Sequence, residues 1–147
     1  MLISGSIQDE QFMDAQSLDN KEIEQTQILI AEPEKELQSL FSAYLSSLGI
    51  STVIANSGDI ALDCFFNSKK KERPYAAIVL DTHIVNPGGL EIAKRIHFEE
   101  PDQKLVIVTT TPREYLPKDC LKTAGIKDKD VLTMPFRMSE LMTALKN

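Results

Sequence analysis

Four short apolar runs punctuate the chain, and three of them stop on a polar side chain. Ile28-Leu29-Ile30-Ala31 ends at Glu32, Ala76-Ala77-Ile78-Val79-Leu80 ends at Asp81, and Leu105-Val106-Ile107-Val108 ends at Thr109. The fourth, Val131-Leu132-Thr133, closes with Met134-Pro135-Phe136. Runs of this length without polar alternation predict strands buried on both faces, as in a parallel sheet covered by helices. In an open parallel sheet, ligands sit outside the carboxyl ends of the strands. Glu32, Asp81 and Thr109 are therefore expected to converge on one crevice.

Helical patterns lie between the runs. Leu37, Leu40, Phe41, Tyr44, Leu45 and Leu48 fall at i, i+3, i+4, i+7, i+8 and i+11, one face of a helix, and Gly49 follows where a C-cap belongs. The β-branched stretch Ser51–Ala55 predicts a second strand. Ser57-Gly58-Asp59 opens a second helix carrying Ile60, Ala61, Cys64 and Phe65, which ends near Lys69. After the Asp81 run, a Pro87-Gly88-Gly89 turn leads into a third helix marked by Leu90, Ile92, Ala93 and Ile96, with Pro101 beyond it. Proline inside a helix costs about 3 kcal/mol. Pro117 therefore places the start of the fourth helix at itself, after an irregular loop over residues 110 to 116, with Gly125 as its cap. The last helix holds Leu141, Ala144 and Leu145. Five strand–helix units in series with short connections predict an α/β fold, a parallel sheet with helices on both faces.

Composition narrows the class. A chain of 147 residues suits one domain with a single core, and 42% apolar with 26% charged residues is the balance of an ordinary globular protein. No apolar stretch approaches the ~20 residues of a membrane span. The start, Met1-Leu2-Ile3-Ser4-Gly5, lacks a basic n-region, so neither a secretory signal nor a transit peptide is expected and the location is read as cytoplasmic. Cys64 and Cys120 have no metal-type spacing and read as reduced, partly buried thiols.

The net charge of −6 is unevenly spread. Residues 1 to 26 carry Asp9, Glu10, Asp14, Asp19, Glu22 and Glu24 against Lys21 alone, and the apolar Phe12, Met13, Leu18 and Ile23 follow no period. This acidic, Gln-rich arm is expected to be disordered, with a short partner-induced helix as the alternative. The nearly neutral remainder offers no basic face on which nucleic acid could displace counterions, so nucleic-acid binding is not expected.

From Gln27 to Asn147 the chain resembles the receiver domain of two-component response regulators. The resemblance rests on the Asp81 run with Gly89 eight residues later, the Thr109 run, and Glu32 in register with Gly49 along the first helix. It implies a flavodoxin-like (βα)5 sheet of strand order 2-1-3-4-5. It also implies Asp81 as phosphoacceptor, Thr109 as the hydroxyl that contacts the phosphoryl group and moves on activation, and Glu32 as the first of an acidic pair that holds Mg²⁺. Three positions depart from the family. Pro33 stands where the second acid belongs, Met134 where the family has a Lys, and Val131 where it has an aromatic switch residue. With Pro33 offering no side-chain ligand, the expected Mg²⁺ set is Glu32, Asp81 and the backbone carbonyl of His83, and the binding is expected to be weak.

Other residues have two readings each. Glu34 could reach the site through water, or be a favourable first-turn acid. His83 could ligate a softer metal, or be a solvated loop residue. Lys69-Lys70-Lys71 with Arg73 reads as a solvated helix end, and Asp81 itself could be a carboxylate satisfied by neighbouring amides.

Two functions follow. The chain is either a stand-alone receiver in a phosphorelay, taking a phosphoryl group onto Asp81 from a histidine kinase or phosphotransfer protein, or a pseudo-receiver that docks a protein partner regardless of phosphate. With nothing after Asn147, output is expected through contact with a downstream protein. Beyond accepting that phosphoryl group no enzymatic activity is expected, since no Ser/His/Asp or Cys/His constellation appears. Gly88-Gly89 lacks the further glycines and the Lys of a P-loop, and Pro33-Glu34-Lys35-Glu36 is too acidic for a flavin phosphate loop.

Overall fold

The computed structural model describes residues 26 to 146; the arm expected over residues 1 to 26 falls outside them except for Thr26. Five strands and five helices alternate: β1 (Gln27–Ala31), α1 (Lys35–Ser47), β2 (Ser51–Ala55), α2 (Gly58–Lys70), β3 (Ala77–Asp81), α3 (Gly89–Glu99), β4 (Leu105–Thr109), α4 (Lys118–Thr123), β5 (Val131–Thr133) and α5 (Met138–Lys146). The strands form one parallel sheet of order β2-β1-β3-β4-β5. This is the flavodoxin-like arrangement expected from the resemblance.

The unbroken apolar runs are explained by what covers them. Successive side chains of a strand point to opposite faces, and here both faces are buried. Leu29, Ala31, Ile78, Leu80, Leu105 and Ile107 pack on one side with Ala61 and Phe65 of α2, Ile92 and Ile96 of α3, and Ala124. Ile28, Ile30, Ala77, Val79, Val106 and Val108 pack on the other with Phe41 and Leu45 of α1 and Leu141 and Ala144 of α5.

The helices differ from the periodicity in detail. Of the six residues on the α1 face, only Phe41 and Leu45 are fully buried, and Leu40 and Leu48 stand half in solvent. The reason is geometric: a helix lying on a sheet covers it with a narrower stripe than its apolar face. In α2 the expected Ile60 is exposed, whereas Leu62, unmarked in the sequence reading, is buried. The fourth helix starts one residue later than expected, at Lys118, with Pro117 in the N-cap position. The loop before it holds a single 3₁₀ turn, Arg113–Tyr115.

Gly49 takes φ +80 just beyond α1, a left-handed conformation that glycine adopts without penalty. Lys69 is exposed, as its triplet suggests, and also bridges two helices. Its ammonium donates to the Glu99 carbonyl at 3.2 Å and lies 3.7 Å from the carboxylates of Glu99 and Glu100, tying α2 to the end of α3. Among the described residues, no helix is long and apolar enough to cross a membrane.

Candidate functional site

Parallel pairing brings the strand ends together. Ala31 lies opposite Leu80, and Asp81 lies opposite Val108, so the residues that follow β1 and close β3 and β4 share one edge of the sheet. Glu32, Asp81 and Thr109 are all buried there, with Glu32 and Thr109 at 0% exposure. The backbone at this edge is tightly drawn. A Cβ on Gly89 would sit 2.6 Å from the Asp81 carbonyl oxygen, so the glycine eight residues after Asp81 is what allows α3 to begin against the strand end.

Glu32 is held by its own turn. Its Oε2 accepts the Glu34 N–H at 3.1 Å, and its carbonyl accepts the Gln38 side-chain amide at 2.7 Å. No donor reaches the buried Oε1. The neighbouring polar group is the Asp81 carboxylate, which when ionised is an acceptor too. Two acceptors can bond only through a shared cation or proton. Burial first, and then the hydrogen bond to Asp81, push the Glu32 carboxyl up to about 8, against the opposing pull of the Glu34 amide. In the protonated form Glu32 donates to Asp81.

Asp81 is engaged from its other side. Its Oδ1 accepts the His83 backbone N–H at 2.7 Å and lies 3.0 Å from the His83 ring Nδ1. Thr109 is fixed as well, its Oγ1 accepting the Thr82 hydroxyl at 2.9 Å and the Thr111 N–H at 3.0 Å. Sequence reading missed Thr82 and Gln38. Thr82 follows the pair Asp81 and Val108 and so stands across from Thr109, a relation that depends on the β3–β4 register.

The departing positions are apolar in structure as in sequence. Met134 is half-buried and packs on the α1–α5 core with Phe136, whose ring stacks on Phe41 at 6.3 Å between centroids. Val131 is buried in the opposite core, and Glu34 is an exposed N-cap of α1. Among the described residues, no group of three or more His, Cys, Asp and Glu side chains is set to hold a metal ion. The orphaned Glu32 oxygen beside Asp81 fits a cation. Two carboxylates fall short of the oxygen shell that Mg²⁺ demands, and Pro33 adds none. Pro33→Asp is therefore expected to raise Mg²⁺ affinity by about tenfold or more, measured by titration calorimetry. Equal affinities in the two proteins would mean that Glu32 and Asp81 suffice.

Known proteins share this architecture. Residues 28–146 match the family model of the response regulator receiver domain. The chain is 27% identical over 124 residues to the uncharacterized transcriptional regulatory protein YkoG of Bacillus subtilis, covering 84% of this chain and 51% of that protein. It is 28% identical over 123 residues to the response regulator ArlR of Staphylococcus epidermidis, with 82% and 51% covered. It thus spans about half the length of these curated relatives. The response regulator receiver protein CpdR of Brucella abortus is 23% identical over 119 residues, with 81% of this chain and 92% of that protein covered.

Solved structures agree on the fold. A two-component response regulator from Clostridium difficile superposes with TM-score 0.70 at 23% identity, over 82% of this chain and 93% of that one. TrrA of Thermotoga maritima, determined in complex with Mg²⁺ and beryllofluoride, gives 0.68 at 24%, over 82% and 96%. With its strand order, the convergence of Glu32, Asp81 and Thr109, and a family match over nearly all of the described residues, this chain belongs to the response regulator receiver domains of two-component signalling.

Proposed function

We propose that this receiver acts as a phosphorylation-independent interaction module, a pseudo-receiver that keeps the fold and its docking faces while its acidic site is filled from within. The observation that carries the reading is the buried pair: Glu32, whose Oε1 has no donor, sits beside Asp81, and with its carboxyl raised by burial it meets Asp81 through a proton where no metal is held. A phosphoryl-accepting site works mainly by neutralising charge on the group in transit. Here Pro33 supplies no metal ligand, and Met134 supplies no cation to pair with an acyl phosphate. Asp81 already accepts two contacts from His83.

A second reading, phosphoryl transfer onto Asp81 from a histidine kinase or phosphotransfer protein with Thr109 as the responding hydroxyl, is favoured by the meeting of Glu32, Asp81 and Thr109 at one sheet edge. Mg²⁺ would then be held by Glu32, Asp81 and the His83 carbonyl. In either reading the output proposed is contact with a downstream protein.

The two readings separate on incubation with acetyl phosphate and Mg²⁺. Intact mass spectrometry is expected to find no protein carrying an added phosphoryl group. A phosphorylated fraction that disappears in Asp81→Asn would establish the second reading instead.

A further inference from the structure

The run Lys69-Lys70-Lys71-Glu72-Arg73 lies where α2 ends and the chain turns toward the start of β3, at the edge of the sheet opposite to Asp81. It sets four cations against one acid, and every residue in it is exposed. Lys69 is taken by Glu99 and Glu100. Among the described residues, no carboxylate pairs with Lys70, Lys71 or Arg73. Complementary charge arrives at the same place. The Ala76 N–H donates to the Gln27 carbonyl at 2.8 Å, and Ile28 pairs with Ala77, so the acidic arm joins the fold beside the residues by which the basic run joins it. Glu24 and Arg73 each stand four residues before that Ile28–Ala77 pair, and Glu22 and Lys71 each stand six before it. A chain spans at most about 3.5 Å per residue, so Glu24 and Arg73 both stay within about 14 Å of the pair whatever path the arm takes.

We propose that the acidic arm docks on Lys70, Lys71 and Arg73 of its own chain, through Glu22, Glu24 and the acids before them, and so covers this basic edge. Residues 1 to 26 hold six acids against one lysine, enough to meet all three cations. Single exposed ion pairs are weak, but several act together here, and a short tether presents them at an effective concentration of about millimolar order. A second copy of the chain could offer the same acids only at its solution concentration, so attachment favours the contact within one chain. The contact is independent of the chemistry at Asp81, which lies at the other edge of the sheet.

Two measurements on the full chain test it. Carbodiimide links a carboxylate to a lysine amine where the two touch, and the unmodified chain is treated as an equal mixture of ordinary and nitrogen-15-labelled protein. At low salt, peptides from residues 9 to 24 are expected to be linked to Lys70 or Lys71, with both peptides of each pair carrying the same isotope. The links are expected to be lost in about 1 M salt, where the screening length falls to about 3 Å. The second measurement compares amide spectra of the unmodified chain with those of a variant carrying Asp9→Asn, Glu10→Gln, Asp14→Asn, Asp19→Asn, Glu22→Gln and Glu24→Gln. At low salt the amides of residues 70 to 73 are expected to shift, and those of residues 105 to 109 in the core to stay in place.

Linked pairs of mixed isotope would make a second copy the occupant and overturn the proposal. So would an arm that forms no links, or one whose links spread evenly over Lys118, Lys122 and Lys146. Unshifted amides at residues 70 to 73 overturn it too, even where links form, since mere nearness to the root of the arm would then account for them. The unmodified chain supplies the first result, so the proposal stays open to refutation even if the sixfold variant were to misfold.

Discussion

The domain is expected to lose stability as pH rises from about 5 to 8, and Glu32→Gln is expected to abolish that loss. Glu32 has its carboxyl raised from an ordinary value of 4.5 to about 8 in the folded state, by burial and then by the hydrogen bond to Asp81. Below the unfolded value both states hold the proton, and the folded state has its full stability. Between the two values only the folded state holds it, so unfolding releases a proton and becomes easier as pH rises. Above about 8 the contribution is gone. At about 1.4 kcal/mol for each tenfold change in proton affinity, the loss is on the order of 5 kcal/mol at most, comparable to the 5–15 kcal/mol that holds typical domains folded. Gln carries a permanent N–H with which to meet Asp81 and no proton to lose. Urea midpoints measured across this pH range for both proteins would decide the matter. Parallel curves would mean that Glu32 is ionised in the fold and that something other than a proton satisfies it.

A second large effect is expected at one of two neighbouring apolar positions whose burial the sequence cannot tell apart. Phe41→Ala should cost about 3–5 kcal/mol, because the residue is 1% exposed, belongs to the same buried core as Leu45, Ile30 and Val79, and stacks on Phe136 just beyond Met134. Leu40→Ala, one residue earlier on the same periodic face, should cost well under 1 kcal/mol, because half of its surface is already in water. Equilibrium denaturation of the two variants gives the comparison. A similar loss for both would show that a partner or a further segment covers Leu40 in solution.

Much of the fold was legible because its signals are local. Strands buried on both faces must be apolar at every position, so β1, β3 and β4 stand out as runs, and Gly49 and Gly125, both at positive φ, mark the ends of α1 and α4. Pro117 moved the start of α4 because a proline's missing N–H and fixed φ act on its own turn. The residues closing each run were visible for the same reason. Glu32, Asp81 and Thr109 are polar where an apolar run stops, and a parallel sheet leaves such residues only one edge to share. The absent ligand at Pro33 and the absent cation at Met134 could also be read directly.

What the sequence left open depends on register and on depth. Whether Leu40 or Phe41 faces the sheet is set by how α1 is seated on it, a property of packed layers. Thr82 meets Thr109 because Asp81 pairs with Val108, and a shift of one residue would send it to the other face. Glu32 reads as an ordinary acid in the chain. Only when the assembled sheet and its covering helices exclude water does its second oxygen lose every donor, and only then does the carboxyl beside it make a proton the partner that fits. The chain alone determined which groups meet at the sheet edge; tertiary structure decided their protonation and their partners, because desolvation belongs to the assembled layers and not to any segment of sequence.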